Sequence, residues 1–425
     1  IKSGLYSEAI NSFSDALSSK TQVLDSDYFL NFKILNNVIN QEFSEALKIN
    51  IALDSLNIES WFFLSLCFAQ SNQLDSAIVH MKKYINYIPD DYRGYLMIAN
   101  YSFQKSDWFT ALEYYQKTIW MQNENLDARN GLALSLFYLE NYSEALKAYK
   151  IILTLDPYHY DSYFFIGKIY IILKEYNKAI PNLTQALMLN PDNGDVYYNL
   201  GIAYLNTERT IQAMDAFTRC IRISPENGYA HYKLGIIYEN ILKSKKAILS
   251  LKSARKYSPE IQDVNYRLGM LLFKNNEFHD AMEPLREFIV IEPDSLTVLE
   301  ALGTIFINEL RYPEAIDTYQ RLSIIYPENE EYIRNIADSY WNLSKMDEAF
   351  IAYEKLLLFD EENSDILTRI GTIAMNLSDY ESAVKYLNQA IDCGIPQFNT
   401  FYNLGIAYGN MKNYLQALIA FESEI

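Results

Sequence analysis

Apolar residues along this chain keep two rhythms at once. In short stretches they fall three and four apart, as in Tyr197, Leu200, Gly201 and Tyr204, and again in Ala213, Phe217 and Cys220. That spacing puts each set on one face of a helix. Pro225 ends the second stretch, because proline lacks an N–H and restricts the residue before it. The segment from Gly194 to Asn227 therefore predicts a helical hairpin. The same frame gives Leu234, Gly235, Tyr238, Ala247, Leu251, Ala254 and Pro259, then Leu268, Gly269, Ala281, Leu285 and Pro293, then Leu302, Gly303, Phe306, Ala315, Tyr319 and Pro327.

The slower rhythm is carried by alanine. Ala9, Ala77, Ala111, Ala145, Ala179, Ala213, Ala247, Ala281, Ala315, Ala349, Ala383 and Ala417 lie on one 34-residue period, broken only at Phe43. A period of this length means a stacked array of repeats. Packed helices lie roughly 8–10 Å apart, so a glycine facing an alanine is expected to give the closest approach inside each hairpin.

The pattern resembles the tetratricopeptide repeat family, whose degenerate motif runs W-x2-L-G-x2-Y, then A-x3-F-x2-A, then P. With the repeated alanine at position 20, ten complete repeats span 58–397, between a partial repeat at 1–23, an irregular one at 24–57 and a partial one at 398–425. The family tryptophan of position 4 occurs as Trp61; elsewhere the slot holds Tyr95, Tyr163, Tyr197, Phe401 or a smaller residue. The resemblance implies an all-α fold, a right-handed superhelical solenoid of about twelve antiparallel helix hairpins, in one array over residues 1–425.

Departures from the frame carry expectations of their own. The alanine missing at Phe43 reappears at Ala46, which predicts a distorted repeat. Proline is absent from the repeat ends at Asn123 and Glu361 and shifted to Pro396, so those junctions should end less sharply. Pro181 and Pro284 fall near the start of second helices, where a missing donor is partly tolerated, with Pro284 late enough to risk a kink. The chain enters in mid-repeat and stops within a second helix, which reads as a piece of a longer polypeptide and leaves its compartment open.

Composition changes the picture in two ways. No apolar run approaches the roughly 18 residues of a membrane span. A net charge of −18 argues against nucleic acid, because phosphate neutralisation needs clustered Lys and Arg. The charge is uneven: residues 296–425 hold 20 acidic and 8 basic residues. That end reads either as a solvated face or as a docking surface for a basic partner. Against this trend, Lys243, Lys245, Lys246, Lys252, Arg255 and Lys256 lie on one second helix. A homo-oligomer in which this basic segment meets the acidic end of another copy is one expectation.

Candidate chemistry is sparse. Cys67, Cys220 and Cys393 are too far apart in sequence to suggest a disulfide framework or a metal site, and Cys220 takes a small core position. His80, His159, His231 and His279 have no ligand spacing, and no P-loop, nucleophile elbow or H-E-x-x-H occurs. No catalytic residue, metal or cofactor is assigned.

What remains is the surface of the first helices. In the family, positions 2, 5, 6, 9, 12 and 13 line a concave groove, and the resemblance carries this to Tyr198, Tyr232, Tyr266 and Tyr402 at position 5. Position 6 holds Asn199, Lys233, Arg267, Asn335, Arg369 and Asn403; Phe137, Phe273 and Trp341 stand at position 12. Aromatic rings offer contact area at low entropy cost, and amides and cations can hold a peptide's carbonyls or carboxylates. A chaperone-tail carboxylate clamp does not fit, since Phe164, Lys168 and Tyr229 replace its residues. The asparagine ladder of O-GlcNAc transferases is only partial, interrupted by Lys233, Arg267, Ala301 and Arg369. The expected function is a scaffold or adaptor that binds protein or peptide partners; the alternatives are a substrate-recruiting arm of a larger glycosyltransferase-type enzyme, or a self-assembling scaffold.

Overall fold

The computed structural model describes residues 48, 58–394 and 399–423. The partial repeat at 1–23, the shifted Ala46 and the displaced Pro396 lie outside the described residues. Among the described residues there are 22 α-helices and no strand. The chain divides into two compact units, Ile1–Ile223 and Ser224–Ile425.

Among the described residues the first unit holds five hairpins. These are α1 (Ile58–Gln70) with α2 (Leu74–Tyr87), α3 (Tyr92–Gln104) with α4 (Trp108–Met121), α5 (Leu126–Tyr138) with α6 (Tyr142–Leu155), α7 (Tyr160–Ile172) with α8 (Tyr176–Leu189), and α9 (Gly194–Leu205) with α10 (Thr210–Ile223). The second unit holds α11 (Gly228–Asn240) with α12 (Ser244–Tyr257), α13 (Gln262–Lys274) with α14 (Phe278–Ile291), α15 (Leu296–Asn308) with α16 (Tyr312–Ile325), α17 (Glu330–Asn342) with α18 (Met346–Leu356), α19 (Ser364–Asn376) with α20 (Tyr380–Asp392), and α21 (Thr400–Asn410) with α22 (Tyr414–Ser423). From Ile58 to Ser364, first helices begin 34 residues apart. Within each unit every helix packs on the next, and first helices of neighbouring repeats also touch, as α7 does α9 and α13 does α15.

Local chemistry sets the helix ends. Asn125, Asn193 and Asn227 cap first helices, with Asn227 Oδ1 accepting from the Ala230 N–H at 2.9 Å. Each cap satisfies one of the N–H groups that a helix start leaves unpaired. The turn between the two helices of each hairpin uses one left-handed residue: Asn72, Ser106, Glu140, Lys174, Glu208, Leu242, Asn276, Leu310, Ser344, Ser378 and Lys412 all have φ between 57° and 63°. At α11 the Lys243 N–H then donates to the Tyr238 carbonyl at 2.8 Å and the Leu242 N–H to Glu239 at 3.0 Å. Backbone donors thus close the helix end in the manner of a Schellman motif. None of these residues is glycine.

The repeated alanines from Ala77 to Ala383 are fully buried. Their partner differs from the sequence expectation. Where a first helix carries the glycine, the space it leaves is filled not by the alanine but by the bulky residue four places later, a leucine at Gly167, Gly235, Gly269 and Gly371 and a ring at Gly201, Gly303 and Gly405. A methyl group on Gly201 would lie 2.5 Å from Phe217 Cε1, and one on Gly303 2.7 Å from Tyr319 Cζ. Glycine is required there because a side chain, rather than a helix backbone, comes up against it. The ring position holds tyrosine at Tyr115, Tyr149, Tyr319 and Tyr353, all buried.

The boundary expectations fare differently. The junction at Asn123 ends as sharply as its neighbours, since Gln122 takes an extended conformation and its N–H bonds the Thr118 carbonyl at 2.8 Å. A backbone hydrogen bond ends this helix without proline. At Glu361 the end is looser: α18 stops at Leu356 and Leu357 stays in the right-handed helical region. Pro181 and Pro284 lie beyond the first turn, so each removes an interior hydrogen bond, yet α8 and α14 run unbroken through them. Packing outweighs that loss, and Pro284 is buried.

Candidate functional site

First helices put positions 2 and 6 one turn apart on the same face, so an acid at one and a base at the other can meet. In the second unit this arrangement organises the candidate residues. Arg267 on α13 donates through Nε to Asp263 and through Nη1 to Glu239 of α11, the latter at 3.0 Å. Tyr232 Oη on α11 donates to the same Asp263 carboxylate at 2.5 Å. Burial opposes the charge on Arg267, but its hydrogen bonds to Asp263, Tyr232 and Glu239 outweigh it and raise its pKa. For Tyr232, burial and then the Asp263 carboxylate raise the phenol above its ordinary value.

Lys233 stands beside this network without sharing it. Its Nζ lies 5.4 Å from the Tyr232 ring centroid. It forms no ion pair among the described residues. Burial, and after it the Arg267 charge, push its pKa below the ordinary lysine value. Tyr266, half-buried, leans on Phe288 with ring centroids 5.2 Å apart.

The same device recurs in the second unit at Arg369 of α19. Its Nε reaches Asp365 and its Nη1 reaches Asp338 of α17, both at 3.4 Å, while Tyr353 Oη also donates to Asp338. Asn403 donates from Nδ2 to Thr372 Oγ1 at 3.1 Å, and Tyr402 is exposed with its ring 5.8 Å from Phe421. Asn335 is half-buried beside this group. Phe273 and Trp341 pack against the core edge, Phe273 with its centroid 5.8 Å from that of Phe278. In the first unit Tyr198 lies 5.8 Å from Phe217, and the Asn199 amide is taken up by the Asp195 carbonyl at 2.7 Å.

Sequence reasoning named the bases and missed the acids that orient them. Asp263 and Asp365 stand four residues before Arg267 and Arg369, and position 2 is acidic at Asp127, Asp161, Asp195, Asp263, Glu331 and Asp365. That signal was present. The reach from Arg267 to Glu239 crosses a repeat, and no local pattern announces it.

Two of the six cations in the basic segment are neutralised within their own unit. Lys252 pairs with Asp280 at 2.7 Å, and Arg255 pairs with Glu287 at 2.7 Å and Glu283 at 3.3 Å, all on α14. Cys67 and Cys220 are buried, and burial pushes the Cys220 thiol up to about 11, whereas Cys393 is exposed. No described helix is long and apolar enough to cross a membrane.

Comparison with known proteins gives consistent family matches. A TPR repeat profile matches residues 167–207, and tetratricopeptide repeat profiles match 130–180, 194–227, 334–363 and 364–392. A profile of anaphase-promoting complex, cyclosome, subunit 3 matches residues 70–152. No curated protein matches the chain. Among solved structures, MamA 41-end from Desulfovibrio magneticus RS-1 is 20% identical with a TM-score of 0.38, over 40% of this chain and 96% of that one. YrrB, described as a TPR protein with an unusual peptide-binding site, is 22% identical with a TM-score of 0.39, over 44% of this chain and 96% of that one. A tetratricopeptide repeat protein from Parabacteroides merdae ATCC 43184 is 17% identical with a TM-score of 0.33, over 58% of this chain and 98% of that one. With hairpins spaced 34 residues apart, a buried alanine in each and repeat profiles matching in both units, the chain belongs to the tetratricopeptide repeat family.

Proposed function

We propose that this protein-interaction scaffold takes hold of carboxylate-bearing segments of partner proteins on the first-helix face of its second unit, at Tyr232, Lys233, Tyr266 and Arg267. The observation that supports this most is the contrast between two neighbouring cations. Arg267 has its charge matched by Asp263 and Glu239, while Lys233 has none matched within the described residues. A half-buried ammonium held against a phenol ring gains most from an incoming carboxylate, because hydrogen bonds to charged groups strengthen where water is scarce. Tyr232 and Tyr266 supply flat, low-entropy contact area beside it. Asn335, Arg369, Tyr402 and Asn403 further along the second unit would extend the contact with a longer segment.

A quantitative pull-down with the full chain tests this reading. Lys233→Glu should reduce capture of the main partners about tenfold, equivalent to roughly 1.4 kcal/mol, with helicity by circular dichroism unchanged. Equal capture by the folded variant would remove this face from partner binding.

A further inference from the structure

At the end of the second helix, within its last turn or, for Leu358, just past it, stands a position that differs between the two units. Nine residues after the repeated alanine stand Asn86, Trp120, Thr154, Met188 and Arg222 in the first unit, and Lys256, Val290, Ile324, Leu358 and Asp392 in the second. In the first unit apolar and polar residues alternate. In the second, three consecutive repeats expose a branched apolar side chain: Val290 is 78% exposed, Ile324 80% and Leu358 80%. The residue that follows each, Ile291, Ile325 and Phe359, is exposed as well. Scattered exposed leucines need no explanation, but a repeated apolar position on neighbouring elements makes a patch, and patches rimmed by polar groups mark interaction sites.

Side-chain hydrogen bonds link some successive second helices of this unit. Arg321 of α16 donates to the Pro293 carbonyl just beyond α14 at 2.8 Å, and Tyr386 of α20 donates to Glu354 of α18 at 2.7 Å. Immediately after each apolar pair come carboxylates: Glu292 and Asp294, then Glu328, then Asp360, Glu361 and Glu362, all exposed. The nearby cations are few, Lys355 and an Arg321 already engaged.

Charge narrows the occupant. A partner that covers these apolar side chains must also meet the carboxylates beside them, and a helix with one apolar face flanked by lysines or arginines satisfies both demands.

We propose that the C-terminal ends of α14, α16 and α18 form a docking row for a basic amphipathic helix of a partner protein. The helix sets its apolar face against Val290, Ile324 and Leu358 and lays lysines or arginines along the flanking carboxylates. The row lies on second helices, apart from the first-helix face, so either assignment can fail alone.

The test uses the full chain and a labelled three-heptad helical peptide with leucine at the a and d positions and lysine elsewhere. Anisotropy should show binding that weakens at least tenfold with the double variant Ile324→Ser and Leu358→Ser, and at least tenfold again when serine replaces leucine in the peptide. Both side chains are exposed, and circular dichroism checks that the variant folds. Absence of binding to the wild type, or equal binding to the variant, overturns the proposal. So does a wild-type dimer that the same substitutions disperse, because the row would then be occupied by a second copy.

Discussion

Gly201 shows how much a single missing side chain decides in this array. The Phe217 ring occupies the place where a Cβ would stand, and that ring is itself fully buried. Gly201→Ala should therefore cost about 1–3 kcal/mol through overpacking, although alanine is the better helix former. Thermal unfolding checks this: a rise in Tm would mean that the ring has room to move away. The glycine was legible in the sequence as a repeated small residue, and its neighbour was not. Helical periodicity names the face a residue lies on but not which side chain of the opposite helix reaches it. The same limit applies at the candidate site, where Arg267 could be named from its position while its hold on Glu239, one repeat away, appeared only in the fold.

At the scale of the element, helices and their spacing were readable, and the turns inside the hairpins were not. Sequence signals for a helix stop are glycine and proline, and these turns place Leu242 or Glu140 in the left-handed region instead. The cost is borne because backbone hydrogen bonds close the helix end whatever the side chain is. Leu242 is 88% exposed and packs little, so Leu242→Gly removes steric strain of about 1–2 kcal/mol against a smaller loss from the freer unfolded chain. A net gain of roughly 0.5 kcal/mol is expected, measured as a higher denaturant midpoint at unchanged m-value. A lower midpoint would show that the Leu242 side chain shields the turn. Proline gave a mixed signal for related reasons. It ends second helices where it stands at the repeat boundary, but Pro181 and Pro284 are carried through by surrounding packing.

For the molecule as a whole, stability is a sum over hairpins and their nearest-neighbour interfaces rather than the property of one centre. The family, the period and the all-α class follow from residues spread over the entire length, which is why the sequence exposes them so clearly. Partner chemistry depends on a few surface positions and on which cations the fold has already neutralised, and only the folded chain separates Lys233 from Arg267, or Lys252 from its neighbours. The tyrosines buried four residues after the repeated alanine give this distributed stability a common weakness. Tyr149 is fully buried, and burial, with Asp161 adding to it, raises its phenol well above the ordinary value near 10; Tyr115 and Tyr353 shift the same way. A folded pKa above the unfolded one leaves stability intact below about pH 10 and drains it as pH climbs toward the folded value. Absorbance of phenolate in the near ultraviolet should accordingly rise in two stages, first from surface rings and then, together with loss of helical ellipticity, from the buried ones. A single stage with helicity intact would mean the buried rings ionise in place. Otherwise each of these hairpins carries its own alkaline fuse, and ultraviolet absorbance reports when the rings have left their sockets.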